Sequence, residues 1–164
     1  MGLYKFVLLV HVLSAILGLG PGFIMIYVVT RATNMTELRH AYLIRNRLHI
    51  FVMVGGSLLL VSGVLMGFMR PYLWQMKWYV LSLVLFLVAL AFGPLVLSPR
   101  SKPIKALIND HQGEAIPVEY YLLSKKLFLY ERIENLIFIA IIILMVLKPF
   151  CRLVTCQRTS MKLM

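Results

Sequence analysis

The chain has 164 residues, 61% of them hydrophobic and 14% charged, with 17 Lys and Arg against 6 Asp and Glu for a net charge of +11. So greasy a composition excludes an ordinary water-soluble domain. The basic excess does not indicate a nucleic-acid partner, because the Lys and Arg residues sit between apolar runs rather than in a stripe interleaved with aromatics. A chain solvated by the lipid bilayer, with its cations against anionic headgroups, accounts for both figures.

No linker, repeat or low-complexity tract divides the chain, so residues 1–150 read as one transmembrane bundle followed by a basic tail over 151–164. A membrane-spanning helix needs about 20 mostly apolar residues. Four segments meet that need, at about 4–30, 50–69, 78–97 and 127–147. None alternates polar and apolar residues as a lipid-facing barrel strand must. The expected fold is all-α, a four-transmembrane-helix bundle.

The first span is too long for a signal-peptide core and no small-x-small site follows it, so it is expected to stay in the mature protein. It carries His11 well inside the apolar run, where an ionisable side chain is costly unless it faces protein or a cavity. Ser14, Ala15, Gly18 and Gly22 share its helical face, a row of small residues open to another helix or a flat ligand. Two readings of His11 stand side by side. One makes it an axial haem ligand or proton carrier; the other makes it a neutral histidine bonded to a hydroxyl or carbonyl on a neighbouring helix. His40, His49 and His111 all lie toward the opposite membrane face, which argues against two histidines on one iron.

Ahead of the second span, Asn34 and Glu37 have capping-box spacing and precede an amphipathic stretch with Leu38, Tyr42 and Leu43 against Arg39, Arg45 and Arg47. The second helix is therefore expected to begin near Met35 and to project from the membrane. Gly63 and Gly67 form a GxxxG packing pair. The short connection around Arg70, Pro71 and Tyr72 makes the second and third spans antiparallel neighbours. Lys77 then opens the third span between Trp74 and Trp78, either as an interfacial anchor or as a cation for an acidic substrate such as a porphyrin propionate. Gly93-Pro94 marks a kink.

Pro117 suits a first helical position, and no breaker follows from Val118 to Lys148, so the fourth helix is expected to start about ten residues before its membrane portion, on the same face as the second helix's extension. Where it enters lipid it carries Glu131, Arg132 and Glu134, whose expected partners are Arg45 and Arg47. A structural ion-pair network is the plain reading, and a proton pathway or anion site the functional one. Cys151 and Cys156 lack CxxC spacing and a nearby histidine, so no metal site is read there. The basic flank after the first span, led by Arg31, places both termini outside the cytoplasm of a multi-pass cell-membrane protein.

The run Leu9-Val10-His11-Val12-Leu13-Ser14-Ala15-Ile16, the Trp74-x-x-Lys77 pair and the ending Arg132-Ile133-Glu134-Asn135 followed by Leu147-Lys148-Pro149-Phe150 resemble the small bacterial membrane family of HemJ-type protoporphyrinogen oxidases and CopD-type copper-resistance proteins. They are most similar to a sister group of predicted bacterial integral membrane proteins without assigned function. The resemblance implies haem b as cofactor, His11 as its ligand and Lys77 as a catalytic residue. It also implies further histidines after the first span and in the third, where this chain has Tyr27-Val28-Val29-Thr30 and Leu87-Val88-Ala89-Leu90. Two functions follow: a haem- or porphyrin-associated membrane protein using His11, or a non-enzymatic bundle that forms a homo-oligomer, partners another membrane subunit or carries a small solute.

Overall fold

The computed structural model describes residues 2–149, all of whose regular structure is helical. Cys151 and Cys156 lie outside the described residues. The helices are α1 (Gly2–Thr30), α2 (Met35–Met69), α3 (Lys77–Phe92), α4 (Ser98–Asp110) and α5 (Val118–Leu147). A 3-10 turn over Pro71–Gln75 joins α2 to α3, and a π turn over Gly93–Leu97 joins α3 to α4 without a break.

Helix α2 starts where the capping residues place it. The Asn34 side chain accepts from the backbone N–H of Glu37 at 2.8 Å. The Glu37 carboxylate accepts in return from the N–H and hydroxyl of Thr33, at 2.7 and 2.8 Å, one residue earlier than in the usual reciprocal box. The Met35 N–H donates to the Glu114 carbonyl at 2.9 Å, and Arg39 donates to the carbonyls of Ile108 and His111. The start of α2 is thereby tied to the end of α4 and the loop after it.

The third helix does not end at the kink. Pro94 removes one backbone donor, and the chain responds with a π turn rather than a stop, running on through Pro99 and Pro103 to Asp110. Arg100 folds back to donate to the Val96 carbonyl at 2.8 Å and lies over the Tyr130 ring, 4.2 Å from its centroid. The loop expected after Leu97 is thus largely helix.

Among the described residues, three stretches are long and apolar enough to cross a membrane: Gly2–Thr30, Met35–Met69 and the continuous helix Lys77–Asp110. Helix α5 is not among them, because Glu131, Arg132 and Glu134 fall in the part that would enter lipid. Large apolar side chains cover the outside of the bundle, including Ile16, Phe51, Val61, Leu87 and Ile143. Water would not tolerate so broad an apolar surface on a monomer; hydrocarbon does.

α1 packs chiefly on α2, and α3 chiefly on α5. The short turn makes α2 and α3 neighbours, with Tyr79, Trp74 and Trp78 gathered beside Leu73 near it, and the two meet again farther along, where a Cβ at Gly56 would lie 3.6 Å from Leu90. The interior divides along the helix axes. Leu19, Leu59, Phe86, Ala89, Phe138 and Ile141 form a core inside the apolar spans. Val29, Met35, Leu38, Tyr42, Ile104, Tyr120 and Leu127 form another at the end carrying α4 and the first turns of α2 and α5.

Candidate functional site

The row of small residues on α1 is filled by protein. A Cβ added at Gly18 would sit 2.8 Å from the Gly56 nitrogen and 2.9 Å from the Gly55 carbonyl carbon, so the α1 and α2 backbones touch there. Gly22 faces Asn135 of α5, whose Nδ2 donates to the Gly22 carbonyl at 3.4 Å. In lipid, where apolar side chains gain little by leaving hydrocarbon, close backbone approach of this kind is a main source of helix association. Gly55 and Gly56, which complete the contact, carry no signal in the sequence beyond their size.

His11 lies on the same α1–α2 seam. Its Nδ1 is 2.9 Å from the Ser62 hydroxyl oxygen. That hydroxyl has a single proton, and its oxygen is 2.7 Å from the Leu58 carbonyl, which takes the proton in the usual back-bond of a helical serine. Ser62 therefore accepts from Nδ1–H of His11, and Nε2 is left with its lone pair. The imidazole rests on Gly63: a Cβ there would be 3.3 Å from Cε1. The Gly63 carbonyl accepts from the Tyr79 hydroxyl at 2.9 Å, which brings α3 into the same group.

Were a metal to bind here, Nε2 of His11 would be the atom to hold it. A metal-bound histidine holds its other N–H on a fixed acceptor, which sets the tautomer and aims the ring, and Ser62 supplies that acceptor. A second histidine is out of reach, since His49, the nearer of the two on α2, lies about 20 Å from Ser62 by helical rise. His40 and His49 are exposed. No group of three or more metal-binding side chains occurs among the described residues.

Lys77 is exposed at the first position of α3. It is separated from Tyr79 by two residues, about 200° around the helix, so it turns away from the contact Tyr79 makes with α2. Trp78 is buried and carries Lys148 against its ring, 5.6 Å from the centroid.

Of the five charged residues read as a network, the structure joins Arg45 to Glu131: Nη2 of Arg45 donates to Oε1 of Glu131, with both side chains buried. Arg47 and Arg132 are exposed, and Glu134 is half-buried. Two tyrosines accompany the pair. The Arg45 guanidinium lies 5.5 Å from the Tyr42 ring centroid, and the Tyr42 and Tyr120 rings meet edge to face at 6.4 Å. Burial pushes the Tyr120 phenol well above its ordinary range, so it is a neutral hydroxyl that both donates and accepts. Tyr42 reads in the sequence as one apolar position in an amphipathic stretch and Tyr120 as an ordinary helical residue; only the meeting of α2 with α5 makes them a pair.

The fold thus defines a helical membrane protein with two polar centres, His11–Ser62 inside the spans and Arg45–Glu131 at their edge. The chain belongs to the family described as "Predicted integral membrane protein (DUF2269)", which matches residues 5–149. No curated protein and no solved structure matches the chain.

Proposed function

We propose that the chain is a four-span membrane bundle, akin to the HemJ and CopD proteins, that carries haem b or another porphyrin on Nε2 of His11. The observation behind this reading is the Nδ1 bond from His11 to Ser62, which leaves an imidazole lone pair inside an apolar segment. Bound iron would supply redox chemistry; the chain's own part is to hold the ring on Ser62, keep water away and leave one coordination position without a histidine. In this arrangement α5 is the fourth span, its Glu131 charge offset by Arg45. The first turns of α2 and α5 project from lipid and, with α4, build the second core around Leu38, Ile104 and Leu127. Four spans put both termini on one side, which the basic flank of α1 assigns to the outside of the cytoplasm. Exposed Lys77 serves as an anchor at headgroup level, and no chemical step is given to it.

A second reading is favoured by the filled glycine row, which takes a helix where a flat ligand would otherwise lie. In it His11 is a neutral interhelical lock and the bundle is a non-enzymatic subunit, in a homo-oligomer or beside another membrane protein. Absorption spectroscopy of the detergent-purified protein from haem-sufficient cells separates the two. A Soret band lost in His11→Ala supports the haem reading, and a colourless preparation overturns it.

A further inference from the structure

A second site stands apart from His11, where α2 meets α5. Tyr42 and Arg45 are three residues apart on α2, and Tyr120, Ser124, Leu127 and Glu131 follow helical spacing on α5, so both sets address the same interface. Tyr42, Arg45, Tyr120 and Glu131 are each at least nine-tenths buried, at 4%, 9%, 5% and 6% exposure. Each keeps a buried polar atom with no hydrogen-bond partner among the described residues: both phenol hydroxyls, Nη1 of Arg45 and Oε2 of Glu131. Leaving one such group unpaired costs about 1–3 kcal/mol, more if charged, and the contacts from Tyr120 to Tyr42, Tyr42 to Arg45 and Arg45 to Glu131 string the four along one polar strip that calls for further partners.

The chemistry of the four atoms selects the kind of partner. Nη1 only donates, Oε2 only accepts, and the two hydroxyls do either. Because Arg45 and Glu131 already cancel each other's charge, an anion drawn to Nη1 is repelled by Oε2, and a cation the reverse. We propose that Tyr42, Arg45, Tyr120 and Glu131 form an internal binding site for a small neutral molecule that both donates and accepts hydrogen bonds, water being the smallest of the class. Tyr42 and Tyr120 belong to the core around Leu38 and Leu127, and Arg45 and Glu131 follow where that core passes toward the one around Leu59 and Phe138.

The test is a double-mutant cycle on the full chain in detergent, using Tyr120→Phe and Glu131→Gln and reading the thermal unfolding midpoint. The two side chains make no hydrogen bond to each other but are linked through Tyr42 and Arg45, so coupling is a necessary outcome of the site and density at the site attributes it to a guest. The expected result is a double variant whose drop in midpoint falls short of the summed single drops by at least half of the smaller one. Strict additivity overturns the site. A high-resolution structure of the unmutated protein in nanodiscs gives the second arm, which does not depend on the variants folding. Density bonded to Nη1 of Arg45 and Oε2 of Glu131 supports the proposal, a lone peak indicating water and an extended one an organic guest; four bare polar atoms refute it.

Discussion

Nδ1 of His11 on α1 stands 2.9 Å from the hydroxyl of Ser62 on α2, so two polar residues that lie 51 positions apart in the chain satisfy each other inside an apolar bundle. Interhelical hydrogen bonds of this kind in membranes are worth about 0.6 kcal/mol on average and up to about 1.7. Ser62→Ala is therefore expected to lower stability by roughly 1 kcal/mol in a detergent unfolding titration. If haem is bound, the same substitution also frees the ring orientation and shifts the Soret maximum. A Ser62→Ala protein as stable as the parent would show that the bond contributes nothing.

The α1–α2 crossing has a sharper steric requirement. At Gly18 the atoms that an added methyl would meet are backbone, which cannot swing aside as a flexible side chain does. Gly18→Ala is expected to destabilise by about 1–3 kcal/mol, the range for overpacking. Gly20, with nothing within 4 Å of its added Cβ, is the control: Gly20→Ala leaves the unfolding curve in place or raises it slightly. Equal effects at the two positions would refute the close approach.

For the buried pair, the two ways of removing charge are expected to differ. Glu131→Leu leaves Arg45 buried and uncompensated and costs about 3–5 kcal/mol. Adding Arg45→Met removes the orphaned cation and recovers much of that loss, because a buried ion pair gives back little beyond its desolvation cost. Unfolding midpoints of the two single variants and the double variant check this. A double variant as damaged as the sum of its parts would contradict it.

The start of α2 carries a pH dependence. Glu37, ahead of the apolar segment that begins near Ile50, has its carboxyl held below the ordinary carboxylate range, first by the backbone N–H of Thr33 and then by its hydroxyl. A folded value lowered in this way means the cap contributes while Glu37 is ionised, above its unfolded value near 4.5, and is lost as pH falls through the lower folded value. Protection of the amides at residues 35–38, taken relative to their intrinsic exchange rates, should therefore fall on acidification. Glu37→Ala should show the lower protection already at neutral pH. Protection indifferent to both would remove the cap from the account.

The positions of the helices were readable because each rests on short-range physics. Runs of Leu, Val and Ile long enough to cross lipid announce α1, the membrane part of α2 and α3 by themselves. Asn34 and Glu37 mark the start of α2 within a few residues of each other. The same local reading bounds the third span near Leu97, where the apolar run ends, with a kink at Gly93-Pro94. The chain absorbs Pro94 in a π turn and continues through Pro99 and Pro103 to Asp110, an outcome that packing of Ile104 and Ile108 against Leu38 and Tyr42 rewards.

What each polar side chain meets was decided only in three dimensions. His11 was legible as an anomaly from its depth alone, yet its partner Ser62 is one hydroxyl among several in the apolar spans, and helical periodicity places residues on a face without saying which face it meets. Charge complementarity brought Arg45 and Glu131 to notice but could not separate them from Arg47 and Arg132, which differ in sequence by a position or two and in space by burial. Tyr42 was legible only as an apolar position of an amphipathic stretch, and nothing local marked it and Tyr120 as a pair. Composition and periodicity are summed along the chain and survive without a partner; the identity of a hydrogen-bond acceptor depends on a crossing between helices, which packing at Gly18 and Gly55 sets and which no single segment encodes.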